Sequence, residues 1–339
     1  MQIEKKIKKR IEPKEIRDLL YNHYSKVMSE FYEMQSSFLS IRYKVHQSIE
    51  TSLVLISLIR NIHLSIIRKR EKNLDHDISL DNFILNLEGL DFDENGQKII
   101  SIVKTTGIPK ETVRRKLKKL IQNGFIKKNK NREFFWNLSE KRQHNFINIM
   151  NSDISALAKL TFGFLKHLDI NLNQKVIENE IKSQFSFYFY HFYHSQLLWL
   201  RMWQTKIKDI DLIFIALQVI IPTLQYADKN ENLKELGLEN IYTLIGKTND
   251  NYKSSATAVS AASISEITGI PRVTCIRKLE KLVKLGLLVR EIKTKRYFVN
   301  QITASRTKNI ITKDNIHFTV EIFSEYLSII INALTRKNE

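Results

Sequence analysis

The chain has 339 residues, room for two ordinary domains, with 43% hydrophobic and 27% charged residues. Nine glycines and four prolines are too few to punctuate a many-stranded β fold, so helices joined by short loops are expected. A net charge of +18 points to a polyanionic partner, and the single cysteine, Cys275, excludes an internal disulfide framework and fits a reducing compartment.

In chain order, the start MQIEKKIKKRIEPKEIRDLL is basic but has no apolar run behind it, so it does not read as a secretory signal. SLVLISLI (52–59) is an apolar helix, followed by a polar connector over about 71–98. Within it, Asp91-Phe92-Asp93-Glu94-Asn95-Gly96 opens like a calcium loop, but the twelfth position, which needs a bidentate glutamate, is Ile102. A short helix is expected over 99–106, ended by Gly107, with Pro109 at the start of the next. Val113, Leu117, Leu120 and Ile121 place one apolar stripe on that second helix, which Gly124 closes. The stretch 125–137 alternates around a turn at 129–131 and reads as a β-hairpin with basic residues near its tip. A further helix follows at 155–168.

Sliding the sequence by 162 residues lays 101–124 on 263–286, with 13 of 24 positions identical. SLVLISLI corresponds to DLIFIALQ (211–218) at a slightly smaller offset, and 155–168 corresponds to HFTVEIFSEYLSIIINAL (317–334). Two repeats of such a long period mean tandem domains, since a solenoid needs at least three shorter ones. The boundary falls near 169–174, giving domains 1–170 and 171–339 with cores at about 99–137 and 261–300.

The shared line T-G-I-P-x-x-T-x-x-R-K-L-x-K-L, ending in G-[FL]-[IL], resembles the winged helix-turn-helix core of bacterial transcriptional regulators of the MarR and IclR type. That resemblance covers about 40 residues of each half. It implies that the second helix of each motif enters the DNA major groove and that the hairpin, or wing, touches backbone or minor groove. The expected fold is therefore mainly α: two tandem winged helix-turn-helix domains, each with flanking helices and a small β-hairpin wing. The hypothesis for their arrangement is an intramolecular pseudo-dimer, a monomeric chain acting as two. Helix-turn-helix dimers set their reading helices about 34–36 Å apart, one turn of DNA.

Charge is focused on these lines. Residues 101–132 hold eleven bases and one acid, a surplus of ten; 263–296 hold nine bases and three acids, a surplus of six. Counterion-releasing DNA contact requires such focusing. Phosphate contacts are expected from Lys116, Lys119, Lys127, Lys128, Lys130 and Arg132, and from Lys278, Lys281, Arg290, Lys293, Lys295 and Arg296. Base readout is expected from Lys110, Glu111, Thr112, Arg114 and Arg115, and from Arg272, Val273, Thr274 and Arg277. Lys118 adds to the same basic face. Three positions differ in character between copies: Glu111 against Val273, Arg114 against Ile276, and Lys118 against Glu280. They sit where bases would be read, so two unlike half-sites are expected.

Elsewhere the signals are weaker. FSFYFYHFYHSQLLWLRMW (185–203) is too aromatic for an exposed helix and suits a buried interface, or a pocket for a small apolar effector. His191 and His194 stand three apart without further ligands, so interface roles are expected rather than metal binding. LIFIALQVIIPTL (212–224) reads as a buried helix too short to span a membrane. Gly246-Lys247-Thr248 lacks the earlier glycine of a phosphate-binding loop, Ile241 standing there. Cys275 aligns with Val113 on the apolar stripe and reads as a core thiol. No nucleophile–base pattern points to an enzyme, and no cofactor is expected. The expectation is a cytoplasmic regulator of transcription that binds double-stranded DNA, with no membrane partner. The alternatives are a plasmid-type replication initiator with two winged helices, or a winged-helix scaffold for protein assembly.

Overall fold

The structure, a computed structural model, describes residues 10–85, 96–229, 257–299 and 313–336. Among them lie thirteen α-helices and two short antiparallel hairpins, so the protein is mainly helical. The calcium-loop-like stretch at 91–95, the Gly246-Lys247-Thr248 triplet and the first nine residues lie outside the described residues.

The repeat extends further upstream than sequence identity shows. Helices α1 (Pro13–Asn22), α2 (Tyr24–His46) and α3 (Ile49–Lys72) are matched by α8 (Gln174–Ser183), α9 (Phe185–Ile207) and α10 (Ile210–Lys229), each beginning 161 residues later. Between them come α4 (Leu80–Leu85), α5 (Ile99–Thr106), α6 (Lys110–Gln122), β1 (Ile126–Lys128), β2 (Phe134–Trp136) and the long α7 (Glu140–Leu165). The second copy continues with α11 (Ala261–Thr268), α12 (Arg272–Lys284), β3 (Leu288–Arg290), β4 (Tyr297–Val299) and α13 (Lys313–Arg336).

Compact units do not follow the sequence boundary at 169–174. The first unit is built on Ser48–Thr205 and therefore includes α8 and nearly all of α9. The second is built on Ile11–Gln47 with Lys206–Ser328, so α1 and α2 join the later copy of the core; residues from Ile329 on group with the first unit. Each unit thus takes one copy's core and the opening helices of the other copy.

In the first unit the core is aromatic. His63 of α3 is fully buried, its ring centroid 4.9 Å from Phe83 and 5.3 Å from Phe185. Burial pushes this imidazole down to about 3, so it is neutral at physiological pH. Trp136 of β2 packs 5.1 Å from Phe146 of α7, tying the hairpin to that core. Phe185, Phe189 and Tyr193 of the aromatic segment are buried here beside His63.

The second unit is centred on α2 against α10. Ser36 and Gln218 form a buried polar pair, the Gln218 amide donating to the Ser36 hydroxyl at 2.9 Å. Ser40 Oγ donates to the Ile267 carbonyl of α11 at 2.8 Å. Phe31 and Phe323 bring α13 alongside, with ring centroids 4.3 Å apart.

Among the described residues three helices, α3, α10 and Asp314–Arg336 of α13, are long and apolar enough by length and composition to cross a membrane. This corrects the expectation that 212–224 is too short: the helix runs for 20 residues with Pro222 inside it. Most of these windows are covered by other parts of the protein, 72% of the α3 window and 67% of the α10 window being buried.

The repeated T-G-I-P line has one geometry in both copies. Thr106 Oγ1 donates back to the Ile102 carbonyl at 2.8 Å and accepts from the Ile108 N–H at 3.3 Å. Thr268 does the same with Ile264 and Ile270. Gly107 and Gly269 adopt φ +71° and +73°, the left-handed region that a side chain resists. Ile108 and Ile270 are fully buried. Pro109 and Pro271 cap the next helix, their carbonyls accepting from Val113 and Cys275. A Cβ at Gly107 would stand 3.0 Å from Arg201 Cγ on α9, and one at Gly269 would stand 3.3 Å from Lys44 Cγ on α2. Gly107→Ala is therefore expected to cost about 1–2 kcal/mol of stability, and Gly269→Ala slightly less. Urea denaturation midpoints check this; an unchanged midpoint for both variants would contradict the strained turn.

Candidate nucleic-acid interface

On α6, Val113, Leu117 and Leu120 are buried and seat the helix. Ile121, expected to extend this stripe, is 40% exposed although Leu120 beside it is buried. The outer face presents Lys110, Glu111, Arg114, Arg115, Lys118 and Lys119, with Thr112 half-buried at its edge. Arg114 donates to Glu111 at 2.7 Å, an exposed pair one turn apart. The C-terminal end of α6 is held by a residue that sequence reasoning missed. Arg142 of α7 donates to the Asn123 and Gly124 carbonyls while its guanidinium lies 4.1 Å from the Phe125 ring centroid. A cation on the last carbonyls of a helix satisfies them and opposes the helix dipole. No local pattern marks Arg142, since it acts across 18 residues.

The hairpin pairs Ile126 with Trp136, Lys127 with Phe135 and Lys128 with Phe134. A bridge from Gln97, just before α5, adds an edge to Phe134, and the Gln97 amide donates to the Ser57 carbonyl of α3 at 2.8 Å. The turn is wider than the expected 129–131. Asn129 and Glu133 close it through backbone and side-chain bonds of 2.9–3.0 Å, and Arg132 adopts φ +63° inside it. Lys127, Lys128, Lys130 and Arg132 are all exposed.

The second copy repeats this plan. Cys275, Leu279 and Leu282 of α12 are buried, the Cys275 thiol 3.4 Å from the Ile270 carbonyl and raised by burial. Arg272, Val273, Ile276, Arg277 and Lys281 face out, and Thr274 is half-buried. The β3–β4 hairpin pairs Leu288 with Val299, and Val259 supplies the edge bridge to Tyr297. Its turn is one residue longer, with Lys295 in the left-handed region. Arg290, Lys293, Lys295 and Arg296 are exposed.

Two expected phosphate contacts are corrected. Lys116 turns inward, its Nζ 2.7 Å from Ser48 Oγ and 3.2 Å from Glu50 Oε2, with its side chain 17% exposed. Lys278 does the same, 2.8 Å from Asp209 and 3.2 Å from Asp211, and is 11% exposed. Ser48 and Asp209, like Glu50 and Asp211, are equivalent positions at the N-terminal ends of α3 and α10. The shared lysine is thus a strut from α6 or α12 to the head of an apolar helix. Burial alone would lower the Lys278 ammonium, but the hydrogen bonds and charges of Asp209 and Asp211 outweigh it and hold it above the usual lysine range.

The third differing position is also corrected. Glu280 does not face a reading surface; it accepts from the Tyr297 hydroxyl at 2.7 Å and from Arg290 at 3.1 Å. These bonds clip the second hairpin to α12. In the first copy the counterparts are Lys118, Phe134 and Lys128, which cannot form that clip, and Lys128 Nζ lies 5.8 Å from the Phe134 ring centroid. Lys281 is shared with Asp209 at 3.6 Å.

The geometry leaves a helix face and a hairpin tip studded with cations in each copy. No protein-family model and no curated protein matches the chain.

Proposed function

We infer that each repeated core is a winged helix-turn-helix and that the chain is a sequence-specific regulator of transcription that binds double-stranded DNA. The carrying observation is the outward basic set on both parts of the motif. Lys110, Arg115, Lys118, Lys119, Lys127, Lys130 and Arg132 are exposed and have no ion-pair partner among the described residues; the same holds for Arg272, Arg277, Lys293, Lys295 and Arg296. A helix face meets base edges in the major groove while hairpin cations meet the backbone. In this reading α6 and α12 are the recognition helices. Arg115 and Arg277 are the guanine readers, since a guanidinium can donate twice to one guanine edge. In this reading the protein works in the cytoplasm, without catalysis or a cofactor.

Unlike reading positions on α6 and α12 mean an asymmetric operator. Selection from random-sequence duplexes by the full chain tests this, and a perfectly palindromic motif would contradict it. Arg115→Ala or Arg277→Ala should weaken the selected site by about 1–3 kcal/mol while changing random-DNA binding far less. Equal loss on both DNAs, read by fluorescence anisotropy, would reduce that arginine to a phosphate contact.

A further inference from the structure

At two equivalent positions the copies expose opposite chemistry. On α6, Glu111 and Arg114 pair with each other at 2.7 Å, their side chains 76% and 52% exposed. On α12 the same positions are Val273, 80% exposed, and Ile276, 39% exposed. Three residues apart on a helix, Val273 and Ile276 share a face and form one branched apolar patch in the first two turns. Arg272 and Arg277 border it, both exposed. Among the described residues nothing folds over Val273, although a β-branched side chain is a mediocre choice for an exposed helical position.

We propose that Val273 and Ile276 form a methyl-reading patch that packs on the C5 methyl groups of pyrimidines in the major groove, and this rests on the DNA-binding reading above. The bordering arginines commit the patch to a polyanion, which a protein surface would not need. In the major groove the thymine methyl is the one apolar feature of a base pair, and aliphatic side chains recognise it by contact alone. The half-site under α12 should therefore carry thymine where Val273 and Ile276 touch. Under α6 the Glu111–Arg114 pair reaches the corresponding bases with an acceptor and donors. A 5-methylcytosine offers the same methyl group, so the patch would also accept that base.

The test uses the full chain and the duplex it selects from a random pool. Each thymine of the half-site under α12 is replaced in turn by deoxyuridine, which removes only the methyl group. Affinity should fall about fourfold at one or two positions, the worth of one buried methyl. In Val273→Ser and Ile276→Ser that sensitivity should vanish while salt dependence stays unchanged. At the same position a cytosine·guanine pair and a 5-methylcytosine·guanine pair differ only in that methyl group, so the methylated duplex should bind tighter by a similar factor, and equal affinity would overturn the patch. Tight, salt-dependent binding that ignores deoxyuridine everywhere would sink the methyl reading and leave DNA binding intact. Serine variants with unchanged DNA affinity would instead assign the patch to a protein surface or a second copy. If no duplex is selected at all, the DNA reading itself fails.

Discussion

Replacing Lys278 with methionine should lower the stability of the second unit by about 2–3 kcal/mol. The ammonium bonds both Asp209 and Asp211 at the head of α10, so removing it takes one cation from two carboxylates, Asp209 keeping Lys281 at 3.6 Å. Breaking a fully buried pair costs about 3–5 kcal/mol, and partial exposure of both carboxylates brings that down. Lys116→Met should cost less, about 1 kcal/mol, because only one carboxylate is stranded. Adding Asp209→Asn and Asp211→Asn to Lys278→Met should recover much of the loss, since the carboxylates the ammonium balanced are then neutral and Lys281, which loses Asp209, is half-exposed. The pH sign follows from the raised ammonium: its stabilisation is complete below the ordinary lysine range and is lost only as pH rises through the raised value. Wild type and variant should differ equally across neutral pH and converge in strong alkali, where the ammonium is lost. Denaturation midpoints measure this. A normal midpoint together with a shallower salt dependence of DNA binding would return Lys278 to the phosphate contacts.

Neutralising the first copy's outward cations should have the largest effect on binding. Lys119, Lys127, Lys128 and Lys130 are exposed, so replacing all four by glutamine should leave the thermal midpoint almost unchanged. If each meets a phosphate, the slope of log K against log salt becomes shallower by roughly 3.6. Between 50 and 200 mM salt the parent would then lose on the order of 10² more affinity than the variant. Four outward cations of the second copy, Lys281, Lys293, Lys295 and Arg296, should give a smaller change, because Lys281 is already drawn to Asp209. A slope that no set moves would remove the electrostatic basis of the proposed function.

Local chemistry was legible in the sequence. In T-G-I-P the helix-ending glycine and the helix-starting proline were read correctly, while the threonine hydroxyl bridging the turn and the buried isoleucine came from the structure. The apolar stripes of α6 and α12 followed from helical spacing, and the hairpins from alternation. Partners distant in sequence were not legible. Identity between Lys116 and Lys278 looked like a shared grip on DNA, yet their acceptors lie 68 and 69 residues upstream, and no local pattern on α6 or α12 announces them. Aligning the apolar helices at the offset of 161 would have brought Glu50 onto Asp211 and hinted at the strut. Glu280 misled for the same reason, its hydroxyl partner standing on a strand 17 residues later. Arg142 had no signature at all, since a cation in a first helical turn is ordinary until the carbonyls it meets are known.

The exchange of opening helices bears on synthesis. Helix α2 is complete at His46, but α10, against which it is buried, is complete only at Lys229. At about 5–20 residues per second the ribosome takes roughly ten to forty seconds to make the intervening chain. Throughout that interval Phe31, Phe38 and Leu39 lack the second half of their core, and Ser48–Thr205 is itself complete only near its end. The nascent protein therefore carries an apolar N-terminal arm that waits for its partner helix, the situation in which chaperones hold a chain. Cutting the gene at the repeat boundary would not free two self-sufficient proteins. It would yield halves that complete their cores only by trading helices with each other.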